Sequence, residues 1–186
     1  MPYPAKTSPE AILGAALELL EQGGEDGLSL RTLAGRLGVK APSLYRHYPD
    51  KAALEVALVE HGNRRLGEAL VAASREGEPE AALEAAAQAY LEFARTHPRL
   101  YDLMMDARLS ALASRESGKA VWNTVLQRVG ALTRDPDDTA AAVALWSFLH
   151  GYAGLERSGM FGASGPKGGL EAGLRALAAG FKARAG

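Results

Sequence analysis

The sequence predicts an all-α protein of about nine helices, an N-terminal three-helix domain followed by a helical bundle. Three observations carry this. Ala and Leu supply 36 and 27 of the 186 residues, whereas Ile, Val and Thr together supply 15, too few strand formers for a sheet. Apolar residues recur at i, i+3, i+4 spacing along most of the chain. Capping residues, prolines and glycines then divide that pattern into helix-sized pieces.

Ser8, Pro9 and Glu10 read as N-cap, first-position proline and first-turn acid of a helix carrying Ile12, Leu13, Ala16, Leu17 and Leu20, which Gly23-Gly24 is expected to stop. Ser29 caps a short second helix with Leu33 and Leu37 on one face, closed at Gly38. A third helix is expected from Ala41-Pro42 to Tyr48, before Pro49. Asp50 caps a fourth with Leu54, Leu58, Leu66 and Leu70 in period, weakened at Gly62 and Gly67. Glu78-Pro79 opens the fifth, which ends at His97-Pro98, and Pro98 starts a shorter one through Met105. The remaining helices are expected at Ser114–Thr133, from Asp135-Pro136 to Arg157, and, after a glycine-rich connection from Ser158 to Gly169, to about Lys182.

The chain lacks Cys, which removes disulfides, thiol nucleophiles and thiolate metal sites. The His residues at 47, 61, 97 and 150 show no metal-ligand spacing, and no Ser, His and acid arrangement stands above chance, so neither a metal, a cofactor nor an enzyme activity is expected. Asp102 and Asp106 read as solvated carboxylates on the short sixth helix, and the glycines after Ser158 as a linker. No apolar run approaches membrane-spanning length and the first residues do not resemble a secretory signal, so a cytoplasmic protein is expected.

The net charge of −1 argues against a histone-like coat protein, but the local balance differs. From Ser29 to Lys51, Arg31, Arg36, Lys40, Arg46 and Lys51 face a single acid, Asp50. The two short helices joined by a tight turn in this segment have the size and punctuation of a helix-turn-helix, with Ala34 small at the crossing, Gly38 in the turn, and Val39, Leu44 and Tyr48 inward. Arg31, Lys40, Ser43, Arg46 and His47 then face outward, where such side chains reach phosphates and base edges in a major groove. A helical hairpin with a solvated basic face would show the same spacing.

Residues 29–58, SLRTLAGRLGVKAPSLYRHYPDKAALEVAL, resemble the DNA-binding domain of the tetracycline-repressor (TetR) family of bacterial regulators, through Leu44-Tyr45-Arg46-His47-Tyr48 and the following Lys51. Trp146 to Gly151 resembles the W-x-x-x-H-G signature of one ligand-binding subgroup of that family. The resemblance implies a DNA-binding domain over 1–50 and a ligand-binding and dimerisation domain over 51–186. It implies phosphate contacts from Ser29, Tyr45 and Lys51, and groove contacts from Arg31, Lys40, Ala41, Ser43, Arg46 and His47, with Ala41 offering only its methyl. The implied function is a transcriptional regulator, a repressor released from a palindromic double-stranded DNA operator by a small, largely apolar effector. The alternative is a helical ligand-binding or adaptor protein whose basic segment meets a protein.

The last two helices each carry two faces. On the first, Leu145, Leu149, Tyr152 and Ala153 lie on one side and Ala142, Trp146 and His150 share another, while on the last Leu170, Leu174, Leu177 and Phe181 form one stripe and Ala172, Ala176, Ala179 and Ala183 a nearly opposite one. This agrees with the homodimer interface that the resemblance implies for these helices. Aromatic and His residues concentrate between Tyr90 and Phe161, and His97, Tyr101, Trp122, Trp146 and His150 are the candidates for effector contact, ordinary core packing being the alternative for each.

Overall fold

The computed structural model describes residues 7–74, 77–162, 165 and 167–184. Among them are ten helices and no strand: α1 (Pro9–Gly27), α2 (Leu30–Leu37), α3 (Ala41–Tyr45), α4 (Lys51–Ala73), α5 (Pro79–Thr96), α6 (Pro98–Met104), α7 (Ala107–Leu112), α8 (Arg115–Thr133), α9 (Thr139–Arg157) and α10 (Gly169–Arg184). They form two compact units. One takes the chain up to Asn63 together with His97–Ser117; the other takes Arg64–Thr96 and the chain from Gly118 onward. The boundary falls inside α4, downstream of the whole 1–50 segment. No described helix is long and apolar enough to cross a membrane.

In the first unit α1 packs on α2 and α6, α2 on α3, and α6 on α7. Ile12, Ala16 and Leu20 of α1 are completely buried, as are Leu33, Leu44, Leu54 and Leu58. At about 1.5–3 kcal/mol for each buried large side chain, this set dominates the stability of so small a helical cluster. The Ser8 hydroxyl accepts the Ala11 N–H at 3.2 Å, and Ser29 accepts that of Thr32 at 3.0 Å, so both expected N-caps form. Gly38 closes α2 in the left-handed region (φ 64°), and the Val39 N–H reaches back to the Ala34 carbonyl at 3.0 Å, the bond of a Schellman cap.

The expected stop at Gly23-Gly24 is met by Gly24, whose φ 66° and ψ −166°, a conformation essentially reserved for glycine, interrupt the helical path before a further turn carries α1 to Gly27. Three local expectations need correction. α3 ends at Tyr45 rather than Tyr48; the His47 and Tyr48 N–H groups both turn back to the Leu44 carbonyl at 2.9 Å, and Pro49 keeps Tyr48 out of the helical region. α4 runs unbroken through Gly62 and Gly67, which serve as contact points: a Cβ on Gly62 would meet Met104 and Leu100 of α6, and one on Gly67 would press on Ala120 at 3.3 Å. Asp106 is a cap and not merely a solvated carboxylate. It accepts the Arg108 and Leu109 N–H groups at 2.7 and 3.2 Å and thereby starts α7, an element absent from the expected nine.

The Leu109 N–H, followed by that of Arg108, holds the Asp106 carboxyl below the ordinary carboxylate range. Its contribution to α7 is therefore complete above the ordinary carboxylate pKa and is withdrawn as pH falls through the lowered value. Glu21 performs a similar service across the unit, accepting the Leu100 N–H at 2.9 Å and the Arg99 N–H at 3.3 Å, so that an α1 carboxylate caps α6.

Gly24→Ala is expected to destabilise the protein by about 1–3 kcal/mol, since alanine is strained at this backbone position and its Cβ would also collide with the Arg99 guanidinium. That corresponds to a drop in melting temperature of about 2–4 °C per kcal/mol for a chain of this size. A thermal scan showing no drop would mean that α1 is continuous through Gly24.

In the second unit α9 packs on both α5 and α10. Ala82, Leu83, Ala87, Tyr90 and Leu91 are buried on α5, Ala141, Ala142, Leu145, Leu149 and Ala153 on α9, and Leu170, Leu174, Ala178 and Phe181 on α10. Close approach of α9 and α10 depends on Gly173, where a Cβ would run into the Phe148 ring. Asp138 joins the outer ends of these helices. Its carboxylate caps α9 by accepting the Ala141 N–H at 2.9 Å and receives both Nε and Nη2 of Arg184 at 3.1 Å.

Candidate nucleic-acid interface and effector region

The basic segment divides by what each cation already touches. Arg36 is turned to α1, where it pairs with Glu18 and lies 3.5 Å from the Gln22 side-chain oxygen. Lys51 donates to the Glu25 carbonyl at 2.6 Å, near the end of α1, and pairs at 3.4 Å with Glu55, itself buried. Arg31, Lys40 and Arg46 are exposed, and no carboxylate among the described residues pairs with them. They flank the short α3, with Lys40 at its N-cap, Arg46 at its C-cap and Arg31 in the first turn of α2.

Between them lie Ala41 and Ser43, partly accessible, and the exposed Tyr45 and His47. Tyr45 is 52% exposed, a large ring held out in water on a helix whose Leu44 is wholly buried. Tyr48 faces the opposite way. Burial, and secondarily the Glu10 carboxylate, raises its phenol above the ordinary value, so it remains neutral at physiological pH. Ser29 keeps its hydroxyl 2.6 Å from that of Thr32 while capping α2. This end of the unit therefore presents three cations without an internal ion pair, an aromatic hydroxyl and an imidazole around one short helix. Phosphate oxygens and base edges call for that combination.

The five candidates for effector contact are divided between the two units. His97, at the N-cap of α6, and Tyr101, 1% exposed, belong to the first unit. Trp122 of α8 and Trp146 of α9 belong to the second and meet edge-on, with ring centroids 6.4 Å apart at 73°. Trp146 is 43% exposed and His150 is exposed, so neither is core. Ala142, grouped with them by i, i+4 spacing, is completely buried. Each step of four advances about 40° around the helix, which carries the series from the core side to the surface.

On α9, the Tyr152 ring meets Phe148 and Phe161 in tilted contacts, with centroids 6.2 and 5.2 Å away and planes at 48°. Burial, with a smaller contribution from Glu156, raises its phenol. Arg95 of α5 grips Glu156 with Nε and Nη2 at 2.8 and 2.9 Å, and this bond raises its guanidinium further. A cavity of ≈ 20 Å³ lies among α4, α5, α8 and α9, lined by residues that include Leu70, Ala87, Tyr90, Thr124, Arg128 and Leu149. Of the polar-tipped side chains here, only Tyr90 stands out in the sequence. Arg128 and Thr124 do not, because neither is aromatic nor part of a motif.

Residues 12–58 match the family described as bacterial regulatory proteins, tetR family, and residues 83–180 match the tetracyclin repressor-like C-terminal domain. The HTH-type transcriptional regulator Rv0681 of Mycobacterium tuberculosis is 32% identical over 166 residues, which is 84% of this chain and 73% of that one. The chain belongs to the TetR family. TetR-family proteins are helix-turn-helix transcriptional regulators, a class that acts by binding rather than by catalysis. The class A tetracycline repressor from transposon 1721 of Escherichia coli is 51% identical over 55 residues, 30% of this chain and 26% of the repressor, so this chain spans about a quarter of it. A solved structure from Rhodococcus sp. RHA1 superimposes with a TM-score of 0.80 at 30% identity, covering 98% of this chain and 97% of that one.

Proposed function

We propose that the protein is a homodimeric repressor that reads a palindromic operator with residues 1–50 and releases it when a small, largely apolar effector binds within residues 51–186. The observation that carries this reading is the sorting of the basic segment. Arg36 and Lys51 are engaged inside the unit, while Arg31, Lys40 and Arg46 surround α3 with no internal ion pair among the described residues. An adaptor's solvated basic face has no need to arrange its cations around a five-residue helix beside an exposed tyrosine. Arg31, Lys40, Ala41, Ser43, Arg46 and His47 face the groove in this reading, and Ser29, Tyr45 and Lys51 the phosphates.

Dimerisation is supported by the outer sides of the last two helices. Val143, Trp146 and Leu155 are 46, 43 and 46% exposed on α9, interspersed with Ser147, His150, Gly151 and Gly154. On α10, Ala172, Ala176, Ala179 and Ala183 are all exposed and lie to one side of the charged Glu171, Arg175 and Lys182. Small side chains permit close helix approach, and a second copy of the same face would cover this surface about a two-fold axis. Two recognition helices would then enter major grooves ~34–36 Å apart, or a multiple of that.

Effector coupling has defined routes along the chain. α4 starts in the unit that holds α3, with Asp50 capping it by accepting the Ala53 N–H at 2.8 Å, and ends in the other unit. α5 leads directly into α6, which Glu21 fastens to α1. An effector shifts the operator equilibrium only by its differential affinity for the two arrangements of the reading heads, and DNA weakens the effector by the same factor.

Selection of bound fragments from a random DNA pool, followed by salt titration, tests this function. An inverted repeat should emerge whose binding falls steeply with ionic strength, log K declining by about 0.9 per phosphate contact against log salt. Recovery of no preferred sequence at any salt concentration would return the protein to the adaptor class.

A further inference from the structure

Arg128, one of the residues lining the cavity in the second unit, carries a buried polar atom with nothing to bind. Arg128 Nε is buried and has no hydrogen-bond partner. No carboxylate among the described residues pairs with this guanidinium. The surrounding walls are apolar, with Leu70, Ala87, Val125, Leu145 and Leu149 contributing hydrocarbon, and the Thr124 hydroxyl already donates to the Ala120 carbonyl at 2.9 Å. Buried polar groups in folded proteins are satisfied in all but a few cases, so this orphan calls for an explanation.

A lone water is a poor answer. The space, ≈ 20 Å³, would admit about one, but a buried water needs two to four polar partners, and these walls are apolar. An oxygen acceptor attached to an apolar body suits the site on both counts. The acceptor takes the N–H, its negative charge balances the guanidinium in a charge-assisted bond, and the body lies against the hydrocarbon walls. Because the space is only ≈ 20 Å³, such a ligand must push its walls apart to reach the Arg128 N–H, and a ligand that binds one arrangement of the walls better than another shifts the equilibrium between them.

We propose that the effector is a monocarboxylic acid with an apolar body, whose carboxylate accepts from Arg128 Nε while the body separates Leu70, Tyr90 and Leu149. This rests on the effector-responsive reading above and narrows its chemical class. It also assigns to α8 a binding residue beyond the aromatic and histidine candidates.

Butanoate, octanoate, benzoate and phenylacetate, each beside its neutral amide, test the proposal on the full-length protein by calorimetry and thermal melting. At least one acid should bind about tenfold or more tightly than its amide, and Arg128→Met, close in volume but uncharged, should abolish that preference while keeping the amide's affinity. Failure of every acid to outbind its amide overturns the proposal without recourse to a variant. An acid preference that survives in both Arg128→Met and Arg128→Gln overturns it equally. Fluorescence polarisation on the selected operator separates binding at Arg128 from control of DNA. An acid that binds through Arg128 yet leaves DNA bound would uphold the carboxylate site and remove the effector role. DNA release by a neutral compound, equal in wild type and Arg128→Met, would uphold the effector reading and overturn this one.

Discussion

Gly151→Arg is expected to convert the protein to a monomer and to lower operator affinity by a factor of about 10²–10⁴ without harming the fold of the single chain. Gly151 lies on the outer side of α9, and a Cβ built there meets nothing within 4 Å. Within one protomer the arginine therefore points into water, and replacing a mid-helix glycine should if anything stabilise α9, by up to about 1 kcal/mol. In a dimer built on close contact of the α9 and α10 outer faces, two guanidinium groups would be driven into an interface of Gly, Ala, Val and Leu. Loss of the dimer turns simultaneous engagement of two half-sites into two independent weak events, which is where the expected factor originates. Light scattering beside operator titration checks this. A dimer of wild-type stability would place the interface elsewhere. A monomer with undiminished operator affinity would remove the requirement for a palindrome.

The two halves of the chain differ in how much their sequence discloses, for physical reasons. Helix ends in the first unit are strongly punctuated, and Ser8, Ser29, Gly38 and Asp50 act locally, so residues three or four positions apart suffice to locate the starts of α1, α2 and α4. Glycines are harder to read. Gly24, Gly62 and Gly67 look alike in sequence, yet the first interrupts a helix and the other two let neighbouring helices approach, with Met104 beside Gly62 and Ala120 beside Gly67, both far away in the chain. α7 escapes sequence reasoning because six residues carry too little periodicity, and only the aspartate preceding them announces the start.

Legibility of the effector region is poorer because its key features are tertiary. Aromatic enrichment draws attention to Trp146 and His150, which share α9 with the buried Leu145 and Leu149 but lie toward its outer side. With Trp146 already 43% exposed, truncating it removes less buried surface than a core tryptophan would lose, and the ~3–5 kcal/mol typical of a core site is an upper bound. An unpartnered guanidinium nitrogen cannot be recognised before its neighbours are known. Arg128 is one of fifteen arginines, and nothing in its flanking sequence separates it from those that face water.

Among the basic residues, Arg46→Ala and Lys51→Ala should fail in different ways. Arg46 sits at the C-cap of α3, exposed and with no ion pair among the described residues. If its guanidinium takes guanine O6 and N7, its removal costs about 1–3 kcal/mol of operator binding, relaxes preference at one base position, and leaves the melting temperature near wild type. Lys51 is half engaged already: it bonds the Glu25 carbonyl at 2.6 Å and stands 3.4 Å from the buried Glu55. Lys51→Ala leaves that carboxylate without its cation, a change that costs several kcal/mol for a fully buried pair. Here it comes to about 1–2 kcal/mol of stability, because the lysine side chain remains 42% exposed and screened by water. Whether the same ammonium also touches DNA shows in the salt dependence. Removing a phosphate contact flattens the slope of log K against log salt by about 0.9, whereas a lysine that only holds α4 to α1 leaves the slope intact while weakening every sequence alike. Titrating both variants against the selected operator and a scrambled duplex, at several salt concentrations and beside a thermal scan, resolves the assignments. Uniform weakening across sequences in Arg46→Ala, with a flatter slope, would make Arg46 a phosphate contact and move base recognition to Lys40, Ser43 and His47.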